Sequence, residues 1–400
     1  MSLRRQLLVA FGVQGMGAAS VLLATVWLGA SLGSEVQGGF SRTKSEIEFV
    51  AAFAMFGLPQ ALFFYVKSGR LSERTALRWA FGSALLALPI GLAYALMQHA
   101  RAGVLPIVLL GLAVGASVVH GQLRGLLLVR ARTAWFNGVT ALPQLLVLGG
   151  VWAVIAWGAL SEPIAPTWYL LFALAYGAAA LVAWRRLSAA APMSLRAVVG
   201  WRELGHYGLA AWLTAALATA AILAAQRWVE AHLGRAALGQ FTMAMTLVQV
   251  PLTPISYAAP LLLRRWMERP GARASRRWAA ALFALLLGAA LLVWTIAPLW
   301  PNLGLGATYA GATRALAVLL AGGAAEAASR VLTVQASASG LPWVAVRAEA
   351  TRWSVLGIAA LLPLPPGLLS VCATWAVAAA AAALVFVRHA RATLALARRA

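Results

Sequence analysis

Aspartate is absent from this chain. All ten acidic residues are glutamates, set against 32 lysines and arginines. Charged residues of either sign make up only 10% of 400 residues, where a soluble domain carries about 25%. That scarcity excludes an ordinary soluble globular domain. A single cysteine, Cys372, excludes an intramolecular disulfide. It falls inside an apolar run, where packing is its expected role. No glycine-rich loop runs into Lys-Ser or Lys-Thr, so the chain carries no phosphate-cradling motor. No Cys/His cluster has metal-ligand spacing, and neither metal nor cofactor is expected. The connections between apolar runs are too short to hold a catalytic domain, so the chain is not expected to be an enzyme.

What is present is apolar length. Hydrophobic residues are 62% of the chain, and about 20 such residues in a row span a bilayer as a helix. Twelve runs qualify: roughly 6–32, 42–66, 77–98, 104–124, 134–158, 167–184, 205–232, 238–263, 278–299, 312–338, 348–363 and 368–387. The start, Ser2 to Leu8, faintly resembles a twin-arginine export signal. Its apolar run is too long for such a signal, and the segment is expected to be retained.

The chain also contains itself twice. Trp27, Leu32, Gly33, Gly38, Phe40 and Pro59 are matched by Trp228, Leu233, Gly234, Gly239, Phe241 and Pro260, each 201 positions on. The expected fold class is therefore an all-α polytopic membrane protein. About twelve transmembrane helices form two six-helix lobes in parallel repeat, residues 1–200 and 201–400. Transporters of repeat architecture place their site between the repeats, near mid-membrane.

Basic residues set the orientation. Lys67, Arg70, Arg74 and Arg78 follow run two, Arg130 and Arg132 run four, and Arg185, Arg186, Arg196 and Arg202 run six. Arg264, Arg265, Arg269, Arg273, Arg276 and Arg277 follow run eight, Arg347 follows run ten, and Arg388, Arg391, Arg398 and Arg399 close the chain. The alternate connections are nearly bare. The positive-inside rule puts the basic ones, and both termini, in the cytoplasm. The net charge of +22 is then topology, with attraction to anionic lipids as a by-product. Short scattered basic loops argue against nucleic acid.

Charges inside spans are costly, roughly 2.5–3.5 kcal/mol each on insertion scales, and mark functional candidates. Run two opens with Arg42, Lys44, Glu46 and Glu48. Arg42 and Glu46 are four apart, as are Lys44 and Glu48, so each pair can meet on one helix face. The expected place is the headgroup level or a wet cavity, or a helix that begins beyond residue 48. Glu326 and Arg330 repeat that spacing in run ten, as a structural ion pair or a cavity group. Gln226, Arg227 and Glu230 lie just before the second Leu-Gly. Arg124 and Arg314 are expected to snorkel, and His120 to be a packed or hydrogen-bonded histidine. Trp152, Trp157, Trp168, Trp184, Trp201, Trp266, Trp278 and Trp300 fall near span ends, as an interfacial belt would.

Two passages resemble a family. Leu32–Phe40 followed by Phe56-Gly57-Leu58-Pro59-Gln60 is similar to the first repeat of polysaccharide (O-antigen type) flippases. These belong to the multidrug/oligosaccharidyl-lipid/polysaccharide exporter superfamily. Arg227-Trp228, Leu233-Gly234, Gly239-Gln240-Phe241 and Pro260 resemble the start of its second repeat, and Tyr309-Ala310-Gly311 is also similar. The resemblance implies a multi-pass flippase of the bacterial cytoplasmic membrane. It would move a polyprenyl-pyrophosphate-linked oligosaccharide to the outer leaflet by alternating access. Partners implied are that lipid-linked glycan, membrane lipids, and pathway proteins such as the polysaccharide polymerase. A cationic cavity is implied, for which Arg42, Lys44, Arg227 and Arg330 are the candidate bases. Glu46, Glu48 and Glu326 are candidates for ion coupling. The charged opening of run two and the terse loops depart from the family.

Two alternatives stand beside it. An ion-coupled multidrug exporter of the same superfamily commonly uses an acid in its first span, and residues 6–32 contain none. A membrane glycosyltransferase or polymerase usually needs a large outer loop or acids near the first outer loop, where Glu35 is alone.

Overall fold

Two glycines at equivalent places in the repeat shape the architecture. Gly33 has φ 86° and ψ 169°, and Gly234 has φ 85° and ψ 174°. Each is a single non-helical residue that bends a continuous helix. Only glycine adopts such a backbone without strain.

The computed structural model describes residues 3–99, 103–129, 133–157, 165–188, 201–268, 272–297, 309–362 and 367–397. Within them the chain is helical, with no strand among the described residues. The elements are α1 (Leu3–Ala54), α2 (Leu58–Lys67), α3 (Glu73–His99), α4 (Val104–Val129), α5 (Thr133–Ala156) and α6 (Ala165–Ser188). They continue as α7 (Trp201–Glu268), α8 (Ala272–Ile296), α9 (Ala310–Ala338), α10 (Trp343–Leu361) and α11 (Leu368–Ala397). Among the described residues nine helices are long and apolar enough to cross a membrane. Two of these, α1 and α7, are 52 and 68 residues long, far beyond one crossing, and each is divided by its glycine. Counting both halves of each, and α10, gives twelve crossing segments, six per repeat. Arg347, Glu349 and Arg352 keep α10 outside the nine.

Run two begins earlier than its apolar residues suggest. The helix resumes at Ser34 directly after the kink, so Arg42–Glu48 lie in mid-helix. The alternative of a helix starting beyond residue 48 is excluded. Polar residues sit here because they find partners: Gln37 and Thr242, 0% and 2% exposed, are joined by a 3.0 Å bond from Gln37 Nε2 to Thr242 Oγ1.

The repeats differ at one break. Met55–Gly57 interrupt the first copy, with Phe56 at φ 50° and Gly57 at φ 65°. The equivalent of Gly57 is Ala258, which is helical and buried in an uninterrupted α7. Without a glycine, the left-handed break is costly.

The helices pack into two compact units. The first holds residues 1–31 and 39–223, so the opening stretch of α7 is part of it. There α4 is the central helix, packed on α3 and α6, with α2 and α5 also against it. Glycines let these helices approach: a side chain at Gly111 would meet Leu92 Cδ2 at 2.8 Å. Tyr65 donates to the Glu203 carbonyl at 2.8 Å, and Trp212 Nε1 to the Phe53 carbonyl at 2.7 Å.

The second unit holds residues 32–38 and 224–400. Its centre is α9, packed on α8, α11 and α10. Helices α4 and α9 are the same span of the two repeats, and each is the most enclosed of the long apolar helices: 61% and 72% of an 18-residue apolar stretch is buried, against 17–39% in the other seven. Within this unit the turn after Gly33 crosses α7, where a side chain at Gly38 would meet Gly239 N at 2.9 Å. A double-mutant cycle of Gln37→Leu and Thr242→Val measures the hydrogen bond beside that crossing. Interhelical bonds in membranes are worth about 0.6–1.7 kcal/mol, and a coupling energy in that range is expected from thermal unfolding in detergent.

The tryptophans divide. Trp152, Trp157, Trp184 and Trp278 are exposed, as a belt requires. Trp168 and Trp266 are buried, which corrects the belt assignment for these two. Trp168 meets the Phe40 ring edge-on at 5.1 Å, so aromatic packing claims it. The side chain of Trp201, and Trp300 altogether, lie outside what the structure describes, as do Arg130, Arg132, Arg196 and Arg269.

Candidate functional site

In the first unit the polar residues gather around the middle of the helical stretch after Gly33. Glu46 is 3% exposed. Its Oε2 accepts a 2.8 Å hydrogen bond from the Tyr169 hydroxyl on α6. The same phenolic oxygen lies 3.0 Å from Nε2 of His99, the last residue of α3. Two positions to either side of Glu46, and so on the other face of the helix, Lys44 and Glu48 form an ion pair at 2.8 Å, with side chains 33% and 40% exposed. That i,i+4 pair meets as its spacing implies. Arg42 is half-buried and within electrostatic reach of Tyr169.

His120 faces the Val139 carbonyl, Nε2 to oxygen 3.0 Å, and Arg124 lies over the Phe136 ring at 5.8 Å. Both are packed groups, His120 as its setting implies. Cys372 is buried without exposure, in keeping with a packing role.

In the second unit the charges form one cluster across four helical stretches. Glu326 of α9 accepts from Arg330 Nε at 3.2 Å and from Arg352 of α10. Arg352 also pairs with Glu349 at 3.3 Å and lies over the Trp375 ring of α11 at 5.7 Å. The other donors of Arg330 reach α7, NH1 to Ser256 Oγ at 2.7 Å and NH2 to Gln249 Oε1 at 3.1 Å. Arg352 is 3% exposed and the Arg330 side chain 27%. Arg352 is thus the enclosed member of the cluster and Arg330 the accessible one. Arg227 is half-buried on α7 beside the buried Gln226, and Glu230 lies 3.8 Å from Arg235.

Of the residues singled out in the sequence, Arg42, Lys44, Glu46 and Glu48 belong to the first unit. Arg227, Glu326 and Arg330 belong to the second. Tyr169 and His99 were missed, because nothing in local spacing ties residues 70 and 123 positions from their partners. Glu349 and Arg352 were missed although their signal was present, a three-residue charge spacing at the start of run eleven.

No protein-family model matches the sequence, and no curated protein matches it significantly. Solved structures do match, along the whole length. An inward-facing multidrug resistance MATE family transporter of the MOP superfamily has TM-score 0.71 at 14% identity, covering 98% of this chain and 99% of its own. The fold is that of MATE transporters. The MATE transporter ClbM in complex with Rb+ gives TM-score 0.65 at 18% identity, with 97% and 94% covered. A MOP superfamily transporter from Pyrococcus furiosus Vc1, described by a binding pocket of reverse polarity, gives 0.66 at 15%, with 98% and 94% covered. The paired glycine kinks and the equivalence of α4 and α9 fit a fold of two six-helix repeats.

Proposed function

We propose that the chain is an alternating-access flippase and not an enzyme. It moves a polyprenyl-pyrophosphate-linked oligosaccharide from the cytoplasmic to the outer leaflet of a bacterial cytoplasmic membrane, for cell-surface polysaccharide synthesis. Arg42, Lys44, Arg227 and Arg330 are the bases that take its anionic head.

The observation that carries this reading is the second-unit cluster. Arg330 is partly accessible, and two of its three hydrogen bonds go to neutral oxygens, Ser256 and Gln249. A pyrophosphate oxygen can take the place of either at little electrostatic cost. Arginine suits that exchange, because its planar fork binds phosphate through two parallel bonds. The polyprenyl tail stays in lipid while the head crosses among polar groups. Membrane lipids and the polymerase of the pathway are the proposed partners.

A second reading is a multidrug exporter of the same superfamily. The names of the structural neighbours favour it, as does the buried acid Glu46, which an ion-coupled cation pump could use. The two separate in one assay. The protein is reconstituted in liposomes with a labelled polyprenyl-pyrophosphate oligosaccharide, and its arrival in the opposite leaflet is followed. Wild type is expected to transfer it. Arg330→Ala and Arg227→Ala are expected to weaken half-saturation roughly tenfold to a hundredfold, the worth of a charged hydrogen bond of about 1.5–3 kcal/mol. Absence of transfer under any ion gradient, with export of organic cations, would establish the multidrug reading instead.

A further inference from the structure

We propose that His99, Tyr169 and Glu46 form a proton relay in the first unit, with the proton as its ligand and Glu46 as the end acceptor. The three groups make an unbroken chain: imidazole Nε2, 3.0 Å, phenol oxygen, 2.8 Å, carboxylate Oε2. His99 and Glu46 are 4.0 Å apart directly, beyond hydrogen-bond reach, so the hydroxyl is what connects them. His99 is the accessible end: its side chain is 15% exposed, against 4% for that of Glu46, and Tyr169 between them is 0% exposed. His99 ends α3, at the end that the basic loops assign to the outside. Entry there would drive export of cargo with inward proton flow.

The hydrogen bonds admit two states. In the first, His99 carries protons on both ring nitrogens and donates from Nε2 to Tyr169, which donates to ionised Glu46. In the second, Glu46 is protonated and donates to Tyr169, which donates to Nε2 of neutral His99. Between them the Nε2–H and phenolic O–H bonds break, while a new phenolic O–H and a carboxyl O–H form. One proton is lost by His99 and one gained by Glu46, and no other reactant is required.

The surroundings select a proton over a metal ion. A hard cation collects oxygen ligands, several of them anionic. Around Glu46 stand a hydroxyl donor, an imidazole and the nearby cation Arg42. Glu48 on the same helix is paired with Lys44. The other titratable groups on the elements packed here are Glu73, Arg74, Arg78 and Tyr94 of α3, His120 and Arg124 of α4, and Tyr176, Arg185 and Arg186 of α6; α5 supplies none. His120 is turned to the Val139 carbonyl. No group of three His, Cys or Glu side chains with metal-site geometry occurs among the described residues.

The relay rests on the transporter reading for its purpose, but its test uses no cargo. Infrared difference spectra of the wild-type protein in lipid vesicles, taken after a pH jump, follow the carboxylic-acid carbonyl band. Acidification is expected to raise a band that Glu46→Gln abolishes. Tyr169→Phe should keep the band and slow its appearance about a hundredfold, the scale of a lost positioned proton donor. His99→Gln should slow it similarly, while Tyr176→Phe leaves it unchanged. A band indifferent to Glu46→Gln would overturn the proposal. So would a band whose rate is unchanged in both Tyr169→Phe and His99→Gln, because water would then reach Glu46 directly. A negative leaflet-transfer assay alters none of these readouts, so the relay and the transfer reading fail separately.

Discussion

Arg352→Met is expected to destabilise the protein by about 3–5 kcal/mol, the cost of removing one partner from a buried ion cluster. Arg352 is almost fully enclosed and answers two carboxylates, Glu326 and Glu349, while its guanidinium faces Trp375. Methionine matches its apolar stem and keeps most of the packing. What remains is Glu326 with Arg330 alone, and Glu349 without its cation. Arg330→Met should cost far less, because that side chain is 27% exposed and water can solvate what it leaves behind. Adding Glu349→Gln to Arg352→Met should recover part of the loss, since the stranded charge goes with it. Thermal unfolding of the purified variants checks the order. Equal losses for Arg352→Met and Arg330→Met would show that the cluster is solvated throughout and carries no structural role.

The same cluster shows where the sequence could be read and where it could not. Glu326 and Arg330 stood out because they lie in an apolar run four residues apart, a spacing that means contact on any helix. Glu349 and Arg352 carry nearly the same signal, but at the edge of a run, where a charge is usually read as a headgroup anchor. Only the packing of α10 on α11 and α9 turns them inward. The Tyr169–Glu46 bond had no sequence signal at all. Tyrosine is at home near a span end, and its partner is chosen by a helix crossing far along the chain.

The fold was legible for a related reason. The repeat left paired landmarks whose backbone demands are local. Gly33 and Gly234 needed only a positive φ, which sequence alone can suggest. The start of the second crossing segment was misplaced because apolar content marks where a helix meets lipid, while Ser34–Glu48 are held by polar partners. A hydropathy pattern reports solvent, and Gln37, Thr43, Ser45 and Glu46 are buried in protein.

Gly57→Ala is the glycine substitution expected to do most damage, about 2–5 kcal/mol, because two costs combine there. At φ 65° an L side chain is strained, by roughly 1–2 kcal/mol. The new Cβ would also overlap the Gly208 carbonyl oxygen and lie 2.7 Å from Trp212 N. Those are backbone atoms of a helix, which cannot swing aside as a side chain can, and overpacking adds about 1–3 kcal/mol. Two controls separate the terms. Gly69→Ala has φ 72° with nothing within 4 Å, so it should cost the strain alone. Gly208→Ala is helical and its Cβ would sit 3.5 Å from the Phe56 carbonyl, an ordinary contact that should cost little. The break at residues 55–57 thus lets the opening stretch of α7 close on the first unit, where Trp212 caps the Phe53 carbonyl and Glu203 receives Tyr65 and Arg70. Loss of that docking should show as faster proteolysis at the start of α7 in Gly57→Ala, with Gly69→Ala as slow as wild type. If the two variants are cleaved and unfold alike, backbone strain explains everything and the close approach of Gly57 to α7 contributes nothing.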